Sequence, residues 1–226
     1  MDPEVVYTIW VLIKIVSGHN CGLDTEQVFL DTMGCFSRFV REYFRSYGTW
    51  GFDRGFWTTR QAEAKLFRIG TLEYELSDEP EEAAKKETAP EEIRRQINLH
   101  IPSDADLRPN CVEDSFHSAR AFLAGYFPDW ASLPIHLESW QLSPALEKLL
   151  PPFSRILQFQ KYFMLKSWDP DPEDYLEWVF QIAGGQRDNV QISKLPENTH
   201  LQKAMKAYVL QGGKIGVAQG VLKEIL

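Results

Sequence analysis

Ile97-Asn98-Leu99-His100-Ile101-Pro102, then Ser103-Asp104-Ala105-Asp106, then Asn110-Cys111-Val112-Glu113, is the stretch on which the fold turns. The first five residues alternate apolar and polar, the period of a half-buried strand. Pro102 stops the strand because proline has no N–H to give a ladder. After the polar turn, Asn110 reads as a helix N-cap and Glu113 as the residue that closes a capping box. Val112, Phe116, Ala119, Leu123 and Tyr126 then recur on one helical face, the mark of a helix packed on a sheet. The unit is a packing element or a ligand site. Both readings stay open, because free backbone N–H groups at a helix start attract anions.

Working toward the N-terminus, residues 66–76 alternate as a strand, and a charged linker joins them to residues 97–101 as antiparallel neighbours. That linker, 77–95, contains Asp78-Glu79-Pro80-Glu81-Glu82 and no aromatic residue, so it is expected to be solvated and mobile. Residues 47–57 interleave Gly48, Gly51 and Gly55 with Trp50, Phe52, Phe56 and Trp57, which fits a helix-to-sheet junction. Asp24-Thr25-Glu26-Gln27 opens a helix whose apolar stripe is Val28, Phe29, Phe36, Phe39, Val40 and Tyr43. Arg38, Arg41, Glu42 and Arg45 are expected on its other side. Residues 5–16 read as a buried helix capped by Asp2, too short to span a bilayer and interrupted by Lys14.

Working toward the C-terminus, residues 133–140 and 161–168 are expected as strands. Helices are expected over 144–150, 153–159, 173–181 (Tyr175, Trp178 and Val179 inward) and 201–210, the last capped by Asn198 or Thr199. The tail around Gly216 and Gly220 is expected as a last strand or turn. The fold class is therefore α+β, a mixed α/β chain with helices packed on a central sheet.

The net charge is −8 and the isoelectric point near 5.2, which speaks against a nucleic-acid partner or an anionic membrane surface. Cys21, Cys35 and Cys111 are odd in number and widely spaced, so they form neither a disulfide framework nor a zinc motif. With an opening Met1-Asp2-Pro3-Glu4 that lacks the basic start of a signal peptide, the expected location is the cytoplasm. The pairs Glu73 with Glu75 and Asp169 with Asp171 each share a face at i, i+2 spacing. Without a histidine beside them in sequence, no metal site is expected.

Gly51, Leu66-Phe67-Arg68-Ile69-Gly70, Leu72, Tyr74-Glu75, His100-Ile101-Pro102, Ser139-Trp140, Leu195-Pro196-Glu197-Asn198-Thr199, Leu201-Gln202 and Gly212-Gly213 together resemble a bacterial family of acyltransferase-domain-containing proteins. Its members join an N-acyltransferase N-terminal region to a GNAT-like C-terminal domain. The resemblance implies an N-terminal helical region over 1–64 and a GNAT-like α/β domain over 65–226. It implies an acyl-CoA or acetyl-CoA co-substrate and acyl transfer to a small amine, with no metal. In that fold the strand before the central helix lines the acyl carrier, the helix start receives the diphosphate, and the next strand splays away. Residues 97–101, 103–112 and 133–140 take those places. Ser103, Arg108, Asn110, Cys111 and Val112 are then the cofactor-binding candidates.

The family's loop before that helix is glycine-rich, whereas Ser103–Asn110 here has no glycine. Asp104 and Asp106 repel a diphosphate unless they face away, leaving Arg108 and the helix dipole as the attractive elements. Amine acylation needs a base and an acid. Glu138, His136 and His100 are the candidate bases, and Ser139 and Tyr162 the candidate acids. The alternative is a catalytically inactive GNAT-like binding or scaffold module.

Overall fold

The computed structural model describes residues 25–78, 95–182 and 184–224. The helix expected over 5–16 and all but the ends of the acidic linker lie outside these residues. The chain divides into two compact units. The first gathers the described residues of Met1–Arg38 with Asp53–Asp106 and Asn110–His136, and the second gathers Phe39–Phe52, Leu107–Pro109 and the described residues of Leu137–Leu226.

The first unit opens with α1 (Thr25–Met33) and the start of α2 (Cys35–Tyr47). The single stripe read from Val28 to Tyr43 is divided at Gly34, the residue with the poorest helix propensity after proline. Val28, Thr32, Cys35, Arg38 and Phe39 are buried, so the inward face runs at i, i+4, i+7. Phe36 is exposed, and Arg38, expected on the outer side, is 3% exposed. A guanidinium tolerates that only with a carboxylate partner, and Glu73 supplies one. Thr32 Oγ accepts a hydrogen bond from the Arg68 N–H at 2.9 Å, tying α1 to the first strand. Helix α3 (Gly55–Ala62) follows, so part of the aromatic junction is itself helical.

The strand expected over 66–76 is a hairpin: β1 (Leu66–Ile69) and β2 (Leu72–Ser77) run antiparallel in the register Leu66↔Glu75 to Ile69↔Leu72. Gly70 carries φ 63° in the two-residue turn, where a side chain costs backbone strain. A Cβ there also sits 3.2 Å from Ser115 Cβ. Gly70→Ala is expected to cost about 1–2 kcal/mol, measured as a lowered urea midpoint at unchanged m-value.

Strand β3 (Gln96–His100) pairs with β2 antiparallel, from Ser77↔Gln96 to Glu73↔His100. It pairs with β4 (Ile135–Ser139) in parallel through Ile97↔Ile135 and Asn98↔His136. These registers put Phe67, Ile69, Leu72, Tyr74, Ile97, Leu99 and Ile135 on one sheet face, all buried. Helix α4 (Pro109–Tyr126) contributes Val112, Ser115, Phe116, Ala119, Phe122 and Leu123 as buried residues. Tyr74 Oη lies 2.9 Å from Ser115 Oγ, which donates to the Ile69 carbonyl at 2.5 Å. Helix and sheet are thus pinned through a buried polar contact, and burial pushes the Tyr74 phenol well above its ordinary range. The helix opens two residues earlier than the capping-box reading, at Pro109, so Asn110 lies within the first turn and is not the N-cap; the fixed φ and missing N–H of Pro109 suit that first position.

In the second unit, α5 (Arg155–Gln160), α6 (Asp174–Phe180) and α7 (His200–Leu210) accompany the antiparallel pair β5 (Phe163–Asp169) and β6 (Val217–Leu222). Its core joins Trp140, Leu146, Tyr175, Leu176, Phe180, Leu195, Met205 and Ile215. Trp178, expected inward, is 43% exposed. At 100° per residue it falls outside the stripe of Tyr175, Leu176 and Phe180. Helix α7 carries the expected cap as a full capping box between Thr199 and Gln202. Among the described residues no helix is long and apolar enough to cross a membrane.

Candidate functional site

The second face of the first unit's sheet is polar. Glu73 and His100 are direct cross-strand partners, Glu75 pairs with Asn98, and Asn98 pairs with His136. Glu73, Glu75, His100 and His136 therefore share a face, with Glu75 and His100 on the diagonal where long side chains reach one another. They meet: His100 Nε2 lies 2.8 Å from Glu75 Oε2. The other Glu75 oxygen accepts from Arg60 Nε at 2.7 Å. Arg60 and Trp57 lie one turn apart on α3, with the guanidinium carbon 4.3 Å from the indole centroid. The indole meets the His100 ring edge-on, at 4.9 Å and 84°. The imidazole is thus met at Nε2 by Glu75 and edge-on by Trp57.

Burial opposes the charged form of Glu75. The bonds and charges of His100 and Arg60 outweigh it and hold the carboxyl below its ordinary range. Beside this cluster, Arg38 Nη2 lies 2.8 Å from Glu73 Oε1, with side chains only 4% and 3% exposed. Asp104 is drawn onto Arg68 Nη1 at 2.6 Å and lies 3.8 Å from Arg38. Its desolvation is likewise outweighed by the two arginines, which lower its carboxyl. Both shifts stabilise the fold at neutral pH. That contribution disappears as the pH falls through the folded-state values, below the ordinary carboxylate range.

These contacts decide how the loop before α4 lies. The aspartate at its head is held by arginines of β1 and α2, and the Asp106 N–H donates to Thr71 Oγ at 2.5 Å in the hairpin turn. Ser103 and Asn110 are exposed, Cys111 is half-buried, and Val112 is fully buried. Val112 is therefore part of the core, and in a helix that opens at Pro109 its N–H is the first to be taken up by the intrahelical ladder. Arg108, exposed, belongs to the second unit.

The remaining candidates lie in the second unit. Glu138 is exposed and accepts from Gln219 Nε2 at 2.6 Å, and Gln219 Oε1 in turn accepts from Ser167 at 3.1 Å. Ser139 Oγ caps the short helical turn Trp140–Leu142 by accepting from the Gln141 N–H at 3.0 Å. Tyr162, expected on a strand, lies in the turn before β5, and its carbonyl accepts from the Lys223 N–H. The strand begins at Phe163 because that is where pairing with Leu222 begins. Among the described residues no three His, Cys, Asp or Glu side chains converge to hold a metal ion. The carboxylates of the Glu73 and Glu75 pair are each occupied by an arginine.

Sequence reading missed Arg60, Trp57, Glu75 and Arg38 as members of one cluster. The signals present were the i, i+3 spacing of Trp57 and Arg60 and the i, i+2 spacing of Glu73 and Glu75.

Comparison with known proteins bears on this geometry. The family described as GNAT-like C-terminal domain matches residues 66–222, and the N-acyltransferase N-terminal domain matches residues 25–64. No curated protein matches the sequence. Among solved structures, an acyltransferase in complex with decanoyl-CoA and teicoplanin superposes with a TM-score of 0.78 at 24% identity, covering 97% of this chain and 63% of its own. A complex with CoA and 10C-teicoplanin gives 0.77 at the same identity and coverage. A decanoyl-CoA complex gives 0.74 at 25% identity, covering 88% of this chain and 59% of its own. The chain thus spans about three-fifths of the length of these neighbours. On the match over residues 66–222, the chain belongs to the family of GNAT-like C-terminal domains, with an N-acyltransferase N-terminal domain before it.

Proposed function

We propose that this chain is an acyltransferase that moves an acyl group from an acyl-CoA to a small amine, with His100 as the base. The observation that carries the reading is the capture of Asp104 by Arg68 and Arg38. It offsets the charge of one of the two aspartates that oppose a diphosphate at the glycine-free loop. What is left at the start of α4 is the pair of first-turn N–H groups of Asn110 and Cys111, ahead of Val112, whose N–H is already engaged in the helix. Such a helix start suits a diphosphate. The family membership and the acyl-CoA complexes of the structural neighbours support the same co-substrate.

The acyl-CoA supplies an activated thioester. The chain's own part is to bind the carrier and to accept a proton from the attacking amine. An imidazole with a near-neutral reference pKa does the latter at physiological pH. A second reading, a binding module without transfer activity, is favoured by the absence of glycine in the loop, since bulkier residues restrict how many amides converge on one anion.

Decanoyl-CoA titrated into the protein by calorimetry, followed by thiol release on adding primary amines, separates the two. Heat with amine-dependent release of CoA thiol is the expected result. Heat without release identifies the binding module, and no heat with several acyl-CoAs overturns both.

A further inference from the structure

We infer that Glu75 is the positioning residue for His100, and that Arg60 and Trp57 on α3 complete its mounting. The inference rests on the acyl-transfer reading, to which it adds the device that sets the base. An ionised carboxylate has no proton to give, so the 2.8 Å contact requires the proton on His100 Nε2. Neutral His100 then carries its lone pair on Nδ1. A lone histidine in water samples both tautomers and turns about two torsions, whereas this one is held at one nitrogen and walled by an indole 4.9 Å away. The carboxylate is fixed in turn, because Arg60 Nε bonds its other oxygen at 2.7 Å. Arg60 is steadied by its own stacking on Trp57. The three helix and strand elements therefore close a ring: α3 holds Glu75 through Arg60 and faces His100 through Trp57, and β2 and β3 present Glu75 and His100 to each other.

Two other carboxylates stand on or beside this face, along with His136: Glu73 stands directly across from His100 but is bonded to Arg38, and Asp104 is bonded to Arg68. Glu75 is thus the carboxylate on the imidazole.

In the reaction, the amine nitrogen forms the C–N bond as the C–S bond breaks. Nδ1 takes the proton from that nitrogen, and the imidazolium returns it to the departing sulfur, giving an amide and CoA thiol. The Nε2–H stays bonded to Glu75 throughout, and the ion pair that forms stabilises the imidazolium.

The test has one readout that does not need turnover and one that does. Long-range proton–nitrogen NMR of the imidazoles, on the wild type and on Glu75→Gln, reads the tautomer of His100. The expected result is the Nε2–H form in the wild type and a mixture in the variant. Thiol release from decanoyl-CoA with a primary amine is expected to fall about 10- to 100-fold in kcat for Glu75→Gln, with the KM for decanoyl-CoA unchanged. Arg60→Gln, which leaves the carboxylate in place but unanchored, is expected to fall less. It also keeps the proposal testable should Glu75→Gln fold poorly. An Nδ1–H tautomer in the wild type, or an unchanged tautomer and kcat in the variants, overturns the positioning role. If the tautomer behaves as expected and no amine releases thiol from the wild type, the acyl-transfer reading falls and the mounting of His100 stands.

Discussion

Arg38→Met is expected to lower the free energy of unfolding by about 3–5 kcal/mol, the usual effect of removing one partner of a buried ion pair. The pair is made by groups that are 4% and 3% exposed and 2.8 Å apart. Methionine keeps much of the arginine volume, so the loss is chiefly electrostatic. The carboxylate of Glu73, 2% exposed, is left on the sheet face with neither water nor its cation to solvate it. Asp104 suffers less, since it retains Arg68 at 2.6 Å. The double variant Arg38→Met with Glu73→Leu is the informative control. With both charges gone and volume filled, it is expected to recover most of the lost stability. Urea unfolding followed by fluorescence reads both. A double variant as unstable as the single one makes packing, not charge, the reason Arg38 is buried.

That Arg38 was expected on the outside of its helix shows where the sequence stops being legible. The strand–turn–helix from Gln96 to Tyr126 could be read directly, because alternation and then a three-to-four spacing are local signals. So could the capping box at Thr199. The hairpin could not. Residues 66–76 alternate through Gly70-Thr71 without a break, and read as one strand they put Arg68 on the same face as Tyr74. The two-residue turn reverses that parity. Ile69 faces Leu72, so Arg68 joins Glu73 and Glu75 while Tyr74 joins Phe67 and Ile69.

Read as one strand, residues 66–76 put Arg68 on the side of the sheet opposite the carboxylates it stands beside. The partners of those carboxylates were equally out of reach. Arg38 and Arg60 sit 35 and 15 residues from the carboxylates they hold, and helical periodicity scores an arginine as outward whatever waits for it across the fold. The strand position of His100, by contrast, follows from local alternation, because it depends on no partner elsewhere in the chain.

His100→Ala is expected to lower kcat for acyl transfer by about 10²- to 10⁴-fold, the range that general acid–base catalysis supplies, with little change in the affinity for decanoyl-CoA measured by calorimetry. The competing candidate is Glu138, exposed and bonded to Gln219 at 2.6 Å. One oxygen of that carboxylate is taken by the amide, whereas His100 is held by Glu75 through Nε2 and keeps its other ring nitrogen as the acceptor for a proton. Glu138→Gln is therefore expected to cost less than His100→Ala, and added imidazole is expected to restore part of the activity of His100→Ala but none of that of Glu138→Gln. The pH dependence of kcat/KM sharpens the comparison. The wild type should show a limb from the free enzyme's base, and in His100→Ala that limb should vanish along with the rate. If the limb survives His100→Ala and disappears in Glu138→Gln, the proton is taken in the second unit, and the Glu75–His100 pair is a structural contact of the first.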